Sequence, residues 1–112
     1  MNYRVVIYNE AHNDIDRNAD WWARHHSYDQ AVVWVEAIYK QLDTLGEMPE
    51  RCPVARENDA FDFEIRQLLV GLGNHPRYRA IFTVRNEVVH VLALLDGAQD
   101  QLTEGNLPHL PN

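Results

Sequence analysis

"PRYRAIFTVRNEVVHVLALLD", Pro76 to Asp96, decides how this chain folds. Two runs rich in β-branched and aromatic residues flank the break Arg85-Asn86-Glu87. That pattern predicts two strands joined as a tight antiparallel hairpin. Along the first run, Tyr78, Ala80, Phe82 and Val84 share one face, and Arg77, Arg79, Ile81 and Thr83 share the other. The first set suits a core. The second places guanidinium groups on a sheet surface, in a protein whose formal net charge is -7.

Working outward, "EIRQLLVG" (64–71) reads as a third strand, followed by a turn at "GLGN". These glycines open no helix, so they do not form a phosphate-binding loop. The preceding "EMPERCPVARENDAFDF" (47–63) is punctuated by Pro49 and Pro53 and has no sustained period. It is expected to be a long surface connection with a short extended piece near Pro53 to Arg56.

Two helical stripes come before it: Ala11, Ile15, Ala19 and Trp22, then Ala31, Val35, Ile38, Leu42 and Leu45. Asn9 is the expected N-cap of the first helix, which should end near His25 and His26. Ser27 and Gln30 have capping-box spacing for the second, and Gly46 is the expected left-handed C-terminal cap. "YRVVIY" (3–8) supplies an N-terminal strand.

The order β-α-α-β-β-β predicts an α+β fold, with a helical hairpin packed on one face of a small, mainly antiparallel sheet. On this reading the face bearing Arg77 and Arg79 is left open. Residues 1–100 form a single domain and 101–112 a flexible polar tail.

Composition sets the class. A chain of 112 residues with 46% hydrophobic and 24% charged residues can bury one core without staples. The lone Cys52 allows no internal disulfide and points to a reducing compartment. The opening "MNYRVVIYNEAHND" turns polar too soon for a secretion signal, and no apolar run reaches membrane-spanning length, so a soluble cytoplasmic protein is expected. Residues 63–92 form the basic segment, with Arg66, Arg77, Arg79 and Arg85 against Glu64 and Glu87. An acidic chain of this kind argues against nucleic-acid binding on its own and against a membrane role.

Several features together carry a family resemblance: the "DRNADWWARH" helix, the "AIYKQLDTLGEMPE" helix end, and "IRQLLVG" followed by "RYRAIFTVRNEVVHVLALLDGAQD". In this order, with Leu45/Pro49, Arg66, Tyr78/Arg79 and Asp96-Gly97-Ala98, the chain resembles the RelE/ParE superfamily of type II toxin–antitoxin toxins over roughly residues 3–100. The resemblance implies a toxin, of the kind also called plasmid stabilisation system proteins, neutralised by a co-encoded antitoxin in a bacterial cytoplasm. RelE-like members cleave mRNA on the ribosome, whereas ParE-like members poison DNA gyrase.

The chemistry separates the branches. RNA cleavage through the 2′-hydroxyl needs a base, an acid and cations for the developing charge. Arg66 and Arg79 match the two family arginines and could supply the cations, with His90 a candidate base if it lies beside them. The connection, however, offers only Arg51 and Arg56 among Glu47, Glu50, Glu57, Asp59 and Asp62, and the ending Leu95 to Asp100 carries no basic or His residue. ParE-like action through a protein surface is therefore the leading expectation. A RelE-like endoribonuclease and a degenerate non-toxic relative are the alternatives.

The expected partner-binding residues are Arg66, Arg77, Arg79, Ile81, Thr83 and Trp21. Arg66 and Arg79 have an equal structural reading, paired with an acid such as Glu64. Tyr78 reads as a core aromatic with a satisfied hydroxyl, and Cys52 as inert. Trp22 belongs to the core stripe, with Trp21 and Trp34 off-centre and partly exposed. No cofactor and no metal site are expected: adjacent His25 and His26 diverge by about 100° on a helix, and bringing in His12, Cys52 or His75 would need a favourable fold.

Overall fold

The computed structural model describes residues 2–73 and 76–97. His75, the segment from Ala98 to Asp100 and the tail 101–112 lie outside the described residues. Strand β1 (Arg4–Ile7) leads directly into helix α1 (Asn9–His25), and α2 (Tyr28–Asp43) follows after a break at His26-Ser27. Tyr8, not Asn9, is the N-cap residue of α1, and no side chain caps it. Ser27 does cap α2, its hydroxyl accepting the Gln30 N–H at 3.1 Å.

Strands β2 (Arg66–Val70), β3 (Tyr78–Arg85) and β4 (Val88–Asp96) form the C-terminal half. The sheet order is β1-β4-β3-β2, with β1 parallel to β4 and the other neighbours antiparallel. The β3–β4 turn has Asn86 and Glu87 at φ 53° and 63°. Two successive left-handed residues match the right-handed twist of a two-residue hairpin.

The helical stripes meet the sheet as expected. Ala11, Ile15, Ile38, Leu42 and Leu45 are buried with Tyr78, Ala80, Phe82, Val89 and Val91 in the main core. Trp34 departs from expectation. It has no exposed surface at all, and it fits edge-on to Tyr78 at 5.1 Å between ring centroids. Trp34 lies next to Val35 and three residues beyond Ala31, so a slightly wider apolar stripe brings it inside.

Gly46 is also corrected. It closes a 3₁₀ turn, Thr44–Gly46, without left-handed backbone. Its carbonyl accepts the Tyr3 N–H at 2.7 Å, and an added Cβ would stand 3.2 Å from the Tyr3 carbonyl. What this glycine permits is close approach to the N-terminal strand.

The connection 47–63 is more than a surface link. It contains the 3₁₀ turns Pro49–Arg51 and Asn58–Ala60, and between them an extended piece runs along β2, bridging Val54 to Arg66. Ala55 and Ile65, with Phe61 and Phe63 beside them, make a second core with Ile81, Leu92 and Ala93 on the face opposite the helices. A register shift lets Ile81 pair with Ala93 and Phe82 with Val91. Leu92 is the extra residue of this bulge, which re-aims the end of β4.

Candidate functional site

Over Arg79, Ile81 and Thr83 the arginine face is covered by the chain itself, which corrects the expectation of an open sheet surface, while Arg77 on the same face stays exposed. Arg79, Ile81 and Thr83 are all buried beneath the 55–65 segment. Charge decides how this is possible, because a buried guanidinium needs carboxylate partners to offset its desolvation. Glu57 supplies them. Its Oε1 accepts from Arg79 Nη1 at 2.8 Å and its Oε2 from Nη2 at 2.6 Å, with both side chains under 5% exposed. Gln67 Oε1 accepts a further bond from Arg79 Nη1 at 2.9 Å. Such a two-pronged fork is the strongest geometry available to an Arg–carboxylate pair.

Local bonds hold the cover in place. Asn58 Oδ1 accepts the Ile65 N–H at 2.8 Å, and the Thr83 hydroxyl donates to the Glu64 carbonyl at 2.7 Å. Arg66, half-buried at the start of β2, donates from Nε to Glu64 at 2.9 Å and from Nη1 to the Cys52 carbonyl at 2.6 Å. It clips the connection to the sheet. Cys52 is buried, and burial pushes its thiol up against the opposing effect of Arg51. Arg77 and Trp21 are exposed, Arg77 lying 3.5 Å from Asp96.

The candidate nuclease residues do not converge. His90 pairs across the sheet with Thr83, whereas Arg79 pairs with Leu95. Four residues of strand separate those rungs, roughly 13 Å. His90 Nδ1 shares a 2.9 Å hydrogen bond with the Tyr8 hydroxyl. Burial, then Arg85 and Arg4, hold its imidazole below the ordinary value. The Tyr78 hydroxyl accepts the Trp22 indole N–H at 3.2 Å, on the helix side of the sheet.

His25 stacks on Trp21 at 4.4 Å and His26 on Trp22 at 4.6 Å. His12 shares a 2.6 Å bond with Tyr39. Among the described residues, no three His, Cys, Asp or Glu side chains gather as a metal site. No described helix is long and apolar enough to cross a membrane.

Apolar side chains outside this cover are exposed. Tyr28, Val32 and Val33 stand out from the start of α2, and Leu69 from β2. Between α1 and α2 a hollow of about 580 Å³ has Ala19, Ala23, Ala31 and Val35 in its lining, with Asp16 and Glu36 among its acidic residues. Sequence reasoning missed this groove and Glu57. The groove's signal was present in the small residues Ala19 and Ala23 facing Ala31. Glu57 gave none, since nothing in the pattern of the connection marks one of its acids as buried.

Comparison with known proteins agrees with this architecture. The family described as "ParE toxin of type II toxin-antitoxin system, parDE" matches residues 5–101. No curated protein matches the chain in sequence. Among solved structures, a chain from the "Chromosomal ParDE TA system from P. aeruginosa" superposes with a TM-score of 0.69 at 17% identity, covering 84% of this chain and 95% of that one. At that identity the likeness is one of fold.

Proposed function

This chain belongs to the ParE toxin family of type II toxin–antitoxin systems, and from that premise we propose that it arrests growth by gripping a protein target, not by cleaving RNA. DNA gyrase is the family-derived candidate target, the cytoplasm its place of action, and an adjacently encoded antitoxin its neutralising partner. The observation that carries the reading is the Arg79–Glu57 fork. A guanidinium held by a carboxylate at 2.6 and 2.8 Å under a second core is in no position to steady a reacting phosphate. Arg66 is likewise engaged with Glu64 and the Cys52 carbonyl.

The contact surface is assigned to what is accessible. Of the residues that the sequence marks for partner binding, Arg77 and Trp21 carry the contacts, and the α1–α2 groove receives an apolar helix face of the antitoxin. Arg66, Arg79, Ile81 and Thr83 hold the cover that shapes the surface.

Expression of the chain alone, and together with the product of the neighbouring reading frame, tests this. A DNA-damage reporter should rise on expression alone and fall on co-expression, with translated transcripts intact. Cleavage of translated mRNA would replace this reading with a ribonuclease, and unimpeded growth would make the chain a non-toxic relative.

A further inference from the structure

Because α2 turns back along α1, the hollow between them has two unlike ends. Near the interhelical turn it is lined by Ala23, Tyr28 and Val32, and the last two are exposed. Away from the turn it is lined by Asp16 and Glu36, with Asp20 between the two ends. Ala23 and Asp16 stand about two turns apart on α1, roughly 10 Å along its axis. All of the lining belongs to α1 and α2, whose inner faces are packed into the main core, so the hollow is pre-formed.

Its charge is of one sign. No Lys or Arg is in the lining: Arg17 pairs with Asp14, Arg24 with Asp20 at 3.4 Å, and Lys40 lines a separate depression. Among the described residues Asp16 and Glu36 have no ion-pair partner. A cleft with apolar walls and carboxylates of one sign concentrates counter-ions. Its volume of about 580 Å³ is ordinary for a small-molecule site.

We infer that this hollow binds a small organic cation, an ammonium group carried on an apolar body roughly 10 Å long. The ammonium donates to the carboxylates at the Asp16–Glu36 end, and the body displaces water from Ala23, Tyr28 and Val32. Charge argues against the occupants nearest to hand. Residues 98–112 carry Asp100 and Glu104 and no Lys or Arg, and a second copy of the chain brings a formal net charge of -7. A polyamine with no apolar body satisfies the acids but leaves the other end wet. The antitoxin contact proposed above uses the same groove, so the two occupants exclude one another. Binding of the amine does not rest on that contact.

The test is an NMR titration of the full chain with phenylbutylammonium chloride, up to about 1 mM. Phenylbutanol, phenylbutyrate and spermidine serve as the neutral, anionic and body-less counterparts. The expected result is shifts at the Asp16, Ala23 and Val32 amides, with each counterpart weaker by about tenfold or more. The variant Asp16→Asn/Glu36→Gln alters exposed side chains only. It should bind the amine no better than the alcohol. Ala23→Leu fills the apolar end and should weaken amine and alcohol alike. The inference is overturned by absence of binding, by shifts confined to another surface, or by equal binding of amine and alcohol. Spermidine binding as tightly as the amine also overturns it, since attraction to an acidic surface would then suffice. So does an unchanged preference for the amine in the double variant, or unchanged binding in Ala23→Leu. Complex formation with the neighbouring gene product is read separately by gel filtration without the amine, and its failure touches the antitoxin reading alone.

Discussion

Glu57 and Arg79 are far apart in sequence, yet their contact decides which side of the sheet the protein presents. Removing the carboxylate strands a buried cation, so Glu57→Gln should destabilise the chain by about 3–5 kcal/mol. Glu57→Leu/Arg79→Met should recover most of that loss, since apolar replacement of a whole buried pair is often neutral. Urea denaturation of the three proteins checks both statements.

His90 carries the pH dependence at this scale. Its folded imidazole resists protonation because of burial, with Arg85 and Arg4 adding to the effect. The unfolded chain therefore takes up the proton more readily. The stabilisation is fully present above the ordinary imidazole value of about 6.5 and is lost as pH falls through the lower folded value. Urea midpoints of the wild type should drop on acidification below about pH 6.5, and His90→Asn should flatten part of that slope.

Secondary elements were the most legible feature of the sequence, because their signals are local. The Ser27 cap, both helical stripes and the parity of β3 all follow from spacing alone. Ser27→Ala should cost about 1 kcal/mol, seen as a lower melting temperature. In the hairpin, Glu87 holds a φ of 63° without being glycine. Glu87→Gly should relieve that conformation and raise stability by about 0.5–1 kcal/mol in the same melts.

Where element reading failed, a longer-range fact was at work. Trp34 was misplaced because stripe width depends on what packs above it. The connection was misread as surface because 3₁₀ turns leave no periodic signature. One clue was available: Val91 to Leu95 is an unbroken apolar run, the mark of a strand buried on both faces. It called for a second cover.

At the scale of the whole molecule, the sheet lies between a helical hairpin and a folded connection, and among the described residues a groove remains between the two helices. Family and fold could be read from the order of elements. The site could not, because burial of Arg79 depends on a carboxylate brought from another segment.

Arg79 is therefore structural, and the proposed action of the toxin is contact. Growth of cells expressing Glu57→Leu/Arg79→Met, a variant first shown to melt cooperatively, tests that claim most directly. Continued arrest, matching the wild type, is the predicted result. Loss of arrest in a folded variant that no longer has the guanidinium would contradict it.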